Sequence, residues 1–349
     1  MKLPSRRRQT AKLRARKRHE FYRELVDQAI DQLRPTPKQR LRLSVINGDR
    51  PIDGFITLAD FAACIEGARL LRRMLYRLFR RAPPGRRFFH ITFTPDTGNT
   101  VDREPIVNID ALQRMTQGVL RKYGLNAITS TEMQGLMNFP GKGPGRALMV
   151  HRHAIVWTDD PLFDFYTMAV DLNQARAWRS VLTKTPVVIE PMLKPKHFAA
   201  MANYLLKPPH DVSNSKPLKG TPGAFTMLTT RAGYRPEFAL RIHEGRSQIN
   251  LCSSVTGVGE GDALVRAWRQ DVKRWHAARP KGVPGGIGME PFNVSKFWRR
   301  LRTGNGSQLF RPYRFVTGAE RPLRLPPRHT TVAEIIFRLV KSSPALDDL

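Results

Sequence analysis

Between residues 125 and 157 two runs of strand composition, LNAITSTEMQ and ALMVHRHAIVW, are parted by GLMNFPGKGPGR, which holds four glycines and two prolines. Alternating β-branched and apolar residues favour extended chain, and a Gly/Pro segment between two such runs turns the chain back on itself. An antiparallel hairpin is therefore the centre of whatever this chain folds into, and the hairpin predicts its own pairs. With the turn centred near Gly141 and Lys142, Glu132 falls opposite His151. His151 and His153 stand two residues apart, so they project from one face of their strand, ~7 Å apart along it. Two imidazoles and a carboxylate then converge. Such a set suits Mg²⁺ or Mn²⁺, which keep positions open for substrate oxygens, and by intrinsic affinity it would also take Co²⁺ or Zn²⁺.

On either side of the hairpin, helix and strand alternate. Residues 1–50 read as a basic arm running into a helix over 19–33, closed by Pro35 and Pro37. Thr57 and Asp60 form a capping-box pattern before a helix over 58–81, which PPG at 83–85 stops. Strands are predicted over 86–95 and near 187–190, and helices over 109–122, near 171–182 and over 195–206. Past Lys207 the stretch PPHDVSNSKPLKGTPG reads as a linker. Two strand-like runs, AFTMLTT and EFALRIHE, then precede helices near 261–278, 293–302 and 331–339. This order predicts an α+β fold, an antiparallel sheet with helices packed on one face. It divides the chain into a basic helical N-terminal region (1–85), a central domain (86–215) and a mixed C-terminal accessory extension (216–349) that is a candidate for DNA binding.

With 59 Lys and Arg against 29 Asp and Glu, the net charge of +30 requires an anionic partner. Of the cations 43 are Arg, whose planar fork grips phosphate oxygens in pairs, so nucleic acid is the partner expected. An anionic membrane surface is the other candidate. Against it, no stretch approaches the ~18 apolar residues of a spanning helix, and Arg is spread along the chain instead of lying in one amphipathic segment. Cys64 and Cys252 make neither a disulfide framework nor a zinc-finger spacing, which fits a reducing compartment. The first 18 residues carry nine cations, no acid and no apolar stretch behind them. No secretory signal is expected, and a cytoplasmic protein is; a mitochondrial presequence also has this Arg-rich character.

Other chemistries built on a close His pair can be tested directly. A His-x-His-x-Asp-His zinc hydrolase needs an Asp and a His next, whereas Ala154, Ile155, Val156 and Trp157 follow, and no His-Glu-x-x-His occurs. A non-haem iron site fits the ligand types but leaves the charge unexplained. For a nucleophile, the helix over 195–206 offers Tyr204 with Lys207 three residues on, so a phenol and an ammonium on one helical face could address one phosphate. His90, His197 and His243 are read as carrying no chemistry.

In their order along the chain, HITFTP at 90–95, Glu132 with His151-Arg152-His153, and Tyr204-Leu205-Leu206-Lys207 resemble the three-motif signature of the HUH-endonuclease superfamily, in its rolling-circle replication initiator (Rep) branch. The resemblance spans about residues 86–210, and the motif order is that of Rep-like or transposase-like members, since relaxases usually place the tyrosine before the His pair. Two departures stand out. Arg152 occupies the aliphatic position of the His pair and, on the opposite strand face, is expected to snorkel past the helices or meet a carboxylate. Ala200 stands four residues before Tyr204, so a one-tyrosine enzyme is implied.

The resemblance implies an RRM/ferredoxin-like HUH nuclease core in 86–215 and a divalent ion, Mg²⁺ or Mn²⁺, on His151, His153 and Glu132. It makes Tyr204 the nucleophile that cuts single-stranded DNA, leaving a 5′-phosphotyrosine and a free 3′-hydroxyl, with Lys207 stabilising phosphate charge or lowering the phenol pKa. Thr92 and Thr94 alternate with Ile91 and Phe93 and read as scaffold. No GxxxxGK[ST] occurs, so replication would call on a host helicase. The basic arm and the Arg cluster at 66–87 would hold origin duplex by phosphate contacts, placing the protein on the nucleoid. A transposase or mobilisation protein would share this chemistry, and a non-catalytic DNA-binding protein would keep the charge without it.

Overall fold

The hairpin forms as its sequence directs: β3 (Asn126–Phe139) pairs antiparallel with β4 (Gly145–Thr158), and Glu132 lies directly opposite His151. In this computed structural model the described residues are 6–101, 105, 107–139, 145–180, 182–183, 185–209, 212–217, 225–230, 235–280 and 293–304. The helix expected near 331–339 lies outside them. Before the hairpin come α1 (Arg6–Gln32), α2 (Pro37–Ile46), α3 (Phe61–Arg80), β1 (Arg87–Phe93), β2 (Thr100–Val101) and α4 (Asp110–Lys122). After it follow α5 (Phe165–Gln174), β5 (Val187–Pro191), α6 (Pro195–Leu205), β6 (Val212–Pro217), β7 (Phe225–Thr230) and α7 (Pro236–Ser247). The short α8 (Leu251–Ser254), then β8 (Val255–Val258), α9 (Glu260–Ala277) and α10 (Val294–Gly304) complete the described chain.

The class is α+β, as expected, with an eight-stranded sheet among the described residues: six strands run in the order β5-β1-β4-β3-β6-β7, and off this path β2 pairs with β4 and β8 with β3. Two features differ from the expectation. The sheet is mixed, because β6 runs parallel to β3 at Leu136 and Met137. Helices also cover both faces. Successive residues of β1 show this: Phe88 meets Phe198 of α6 edge-on at 5.0 Å, while Phe89 stacks on Phe165 of α5 at 3.6 Å. A strand covered on both faces carries apolar residues at successive positions, as β1 and β4 do.

One apolar core joins the three stretches of chain. α3 buries Phe61, Cys64, Ala68, Leu71 and Leu75, a three-and-four spacing that gives one apolar stripe. That stripe packs against α6 and α9, while β8 adds to the edge of β3 across Ala127 to Ser130. The N-cap of α3 is Asp60, whose carboxylate accepts from the Ala63 amide at 2.8 Å, and not Thr57, which lies outside the helix.

EFALRIHE is not a strand but the middle of α7, a correction with a clear cause. Every residue from Phe238 to Ser247 is buried, so no exposed face imposes a helical period on the sequence. Pro236 at the first turn was the usable signal. The stretch read as a linker contributes β6, paired antiparallel with β7. The helix expected near 171–182 starts earlier, at Phe165, where Asp164 caps it.

Candidate metal centre and nucleophile

Strand alternation places Glu132 on β3 and His151 and His153 on β4 on one face of the hairpin, all buried. His153 Nε2 lies 2.8 Å and His151 Nε2 3.2 Å from the same carboxylate oxygen, Glu132 Oε2. One potential ligand atom from each of the three falls within 4.8 Å of the others, a spread that one divalent ion could span. The donor set therefore fits the ion the sequence implies. His151 Nδ1 is buried without a hydrogen-bond partner among the described residues.

From the facing helix layer, α6 is fixed by Phe198, buried between Phe79 and Phe88, and by Ser130, whose hydroxyl donates to the Leu205 carbonyl at 2.7 Å. This seats Tyr204 over the cluster, its ring 4.7 Å from that of His153 in an edge contact. Lys207 stands just past the end of the helix, yet its Nζ lies 3.7 Å from the centre of the Tyr204 ring and 3.1 Å from Glu132 Oε1. The five residues singled out in the sequence are thus brought together.

Electrostatics follow from burial and these contacts. Burial alone would raise the Glu132 carboxyl, but the Lys207 ammonium, then His151 and the two imidazole hydrogen bonds, hold it well below the usual carboxylate range. Burial lowers His153 to about 3, against the pull of Glu132, so both ligands are in the form a metal needs. Burial would lower Lys207, but Glu132 and then Tyr204 raise it. The Tyr204 phenol is raised by burial and by Glu132, and Lys207 partly offsets this.

Thr92, read as scaffold, belongs to the site. Its hydroxyl lies 3.1 Å from His153 Nδ1, where it can donate or accept and so fix the ring's orientation. His90 is also placed here, with Nε2 3.3 Å from His153 Nδ1 and Nδ1 3.6 Å from Glu190 on the edge strand β5. Part of the signal was available, since positions 90 and 92 share a strand face; the rest is the register, by which β1 sets Thr92 directly opposite His153. Thr94 is instead tied to the Pro186 carbonyl at 3.1 Å.

Arg152 neither snorkels nor meets a carboxylate. It is wholly buried on the far face of the hairpin, where its guanidinium donates to the hydroxyls of Thr131 and Thr256 at 2.7 Å each and to Thr129. Thr131 lies directly across the strand pair and β8 brings Thr256 alongside, so hydroxyls are what that face offers. Burial lowers its pKa to about 9.

Compared with protein-family models, with curated proteins and with solved structures, the chain has no match in any of the three. No helix among the described residues is long and apolar enough to cross a membrane.

Proposed function

We propose that this protein is a metal-dependent, one-tyrosine DNA nicking and joining enzyme of the Rep type, with its hairpin and flanking strands serving as an RRM/ferredoxin-like HUH core. The observation that carries the reading is the seating of Tyr204 against His153 of a buried two-His, one-Glu cluster. The mixed sheet, with β6 parallel to β3 and helices on both faces, would then be an elaboration of that core.

A bound Mg²⁺ or Mn²⁺ on His151, His153 and Glu132 would supply Lewis-acid polarisation of a scissile phosphate. The protein groups do the rest. Thr92 holds the His153 ring, and α6 holds the Tyr204 ring against it. Lys207 places a positive charge beside both the phenol and the incoming phosphate, the arrangement that favours phenolate and stabilises charge in transfer. Tyr204 Oη forms a bond to phosphorus as the P–O3′ bond breaks. The phenolic proton leaves to solvent and the departing 3′-oxygen takes one up, giving a 5′-phosphotyrosine and a free 3′-hydroxyl. The retained ester bond allows the reverse reaction to join strands without ATP. Single-stranded DNA is the substrate, origin duplex the second partner, and a host helicase the source of strand separation. The working place is the nucleoid in the cytoplasm.

The test is a Tyr204→Phe variant with single-stranded DNA labelled at either side of the cut. Wild-type protein should carry covalently the fragment on the 3′ side of the cut, through its new 5′ phosphate, and the variant should bind DNA without forming an adduct. Adducts that persist in the variant would remove Tyr204 as nucleophile.

A further inference from the structure

We infer that the groove between α3 and α9 is a docking site for single-stranded nucleic acid, separate from the Tyr204 centre. The inference shares the nucleic-acid partner of the proposal above but none of its chemistry. The groove is open, with a volume of about 480 Å³. Along its α3 side stand Arg73, Arg77 and Arg81, all exposed and each four residues from the next. That spacing stacks them on one helix face at steps of ~6 Å. No carboxylate pairs with any of the three among the described residues, whereas the other two charged residues that line the groove are neutralised locally. Arg86, at the end of the groove, is held by Asp159 at 2.7 Å and Glu260 at 2.9 Å, and Asp271 on α9 is held by Arg274 at 3.1 Å.

The helix dipole favours cations at this end of α3, but like charges four apart repel one another, and an anion bridging the row would relieve that repulsion. The floor beneath the row is apolar. Leu70, Met74, Leu78 and Leu264 are half-buried there beside Trp268, whose indole N–H donates to the Gly67 carbonyl at 3.0 Å. A row of guanidinium groups above an apolar floor matches a strand whose phosphates lie on the rim while unstacked bases meet the floor. A duplex, the partner expected from the sequence for the Arg cluster at 66–87, keeps its bases inside and offers such a floor nothing, so this row is assigned to a single strand instead. A volume of this order holds a ligand of drug-like size, hence one or two nucleotides and not a double helix. α3 also packs on α6, so the groove lies on the helix layer that carries Tyr204.

The test uses full-length protein carrying Tyr204→Phe, which cannot react, so that only binding is read. Three probes of equal length are compared by fluorescence anisotropy across salt concentrations: an oligothymidylate, an abasic deoxyribose-phosphate strand and a duplex. Replacing Arg73, Arg77 and Arg81 together by Gln should weaken oligothymidylate binding at least tenfold. It should also reduce the slope of log affinity against log salt by about 2, three contacts at ~0.7 each for a single strand. Leu264→Gln should weaken the oligothymidylate but not the abasic strand. Should the triple variant fold poorly, Ala267→Glu, at an exposed position lining the groove, should weaken the oligothymidylate by itself. Unchanged affinity and salt slope in the triple variant would overturn the proposal. So would an equal loss for all three probes, which would make the row a general phosphate patch. Neither result bears on adduct formation by Tyr204, which is measured separately.

Discussion

Arg152 is wholly buried, yet its hydrogen bonds go to three neutral threonine hydroxyls. Removing such a cation leaves Thr129 and Thr256 to satisfy each other, already 2.7 Å apart, and takes a partner only from the Thr131 hydroxyl. Arg152→Met should therefore be neutral or stabilising by up to ~4 kcal/mol in urea unfolding, as for other buried ionic groups replaced by apolar ones. A loss of several kcal/mol would show that the guanidinium holds β3, β4 and β8 together. On the other face Thr92 touches only His153 Nδ1 and His90 within the cluster. Thr92→Val should weaken Mn²⁺ binding by about 10–100-fold in calorimetry, the usual effect of removing an outer partner of a ligating imidazole, with thermal stability little changed. Unaltered affinity would mean that His90, 3.3 Å from the same Nδ1, or strand packing orients the ring without Thr92.

α7 is the element most at odds with its sequence pattern, and it makes its own prediction. His243 is buried against Phe61, with Nε2 2.8 Å from Asn47 Oδ1. Burial, then Arg246 and Arg23, lower its pKa to about 3. The unfolded chain takes up a proton here as pH falls through ~6.5, and the folded chain does not. The stability this group contributes is complete above pH ~6.5 and falls by ~1.4 kcal/mol per pH unit from there down to about 3. His153, also lowered to about 3, adds a similar slope, so the useful comparison is between proteins. His243→Gln should show an acid branch of the stability profile that is shallower by one proton's worth. Parallel profiles would place the proton elsewhere.

Legibility divides along the same elements. The hairpin is readable because its Gly/Pro turn and the two-residue alternation both act locally, and they alone set Glu132 opposite His151. α7 is not, because burial on every side erases the period. α2 has little apolar asymmetry, and its signal is the cap, where Thr36 and Gln39 bond reciprocally ahead of Pro37. β8 is only four residues long, VTGV, and exists because β3 offers it an edge. Thr92 and His90 become part of the site only when the register of β1 against β4 is known.

For the molecule as a whole, the three candidate ligands come from two strands and converge only in the folded state. Metal binding is then linked to folding: Mn²⁺ at about 100 times its Kd should stabilise the protein by ~2.7 kcal/mol, reversed by chelator. Absence of this shift in thermal unfolding would mean that Lys207, already paired with Glu132, keeps the ion out. A net charge of +30 over the whole chain, the arginine row beside the α3 groove and the buried cluster under Tyr204 are the observations behind the proposal of a protein that holds nucleic acid and brings a phosphate to a phenol.

The most direct measurement of that account is incubation of the purified protein with labelled circular single-stranded DNA and Mn²⁺, with and without chelator, read on a denaturing gel. The account predicts a covalent protein–DNA adduct that chelator abolishes. DNA binding with no adduct over a broad set of sequences would contradict it and leave a basic protein that binds DNA without cutting it.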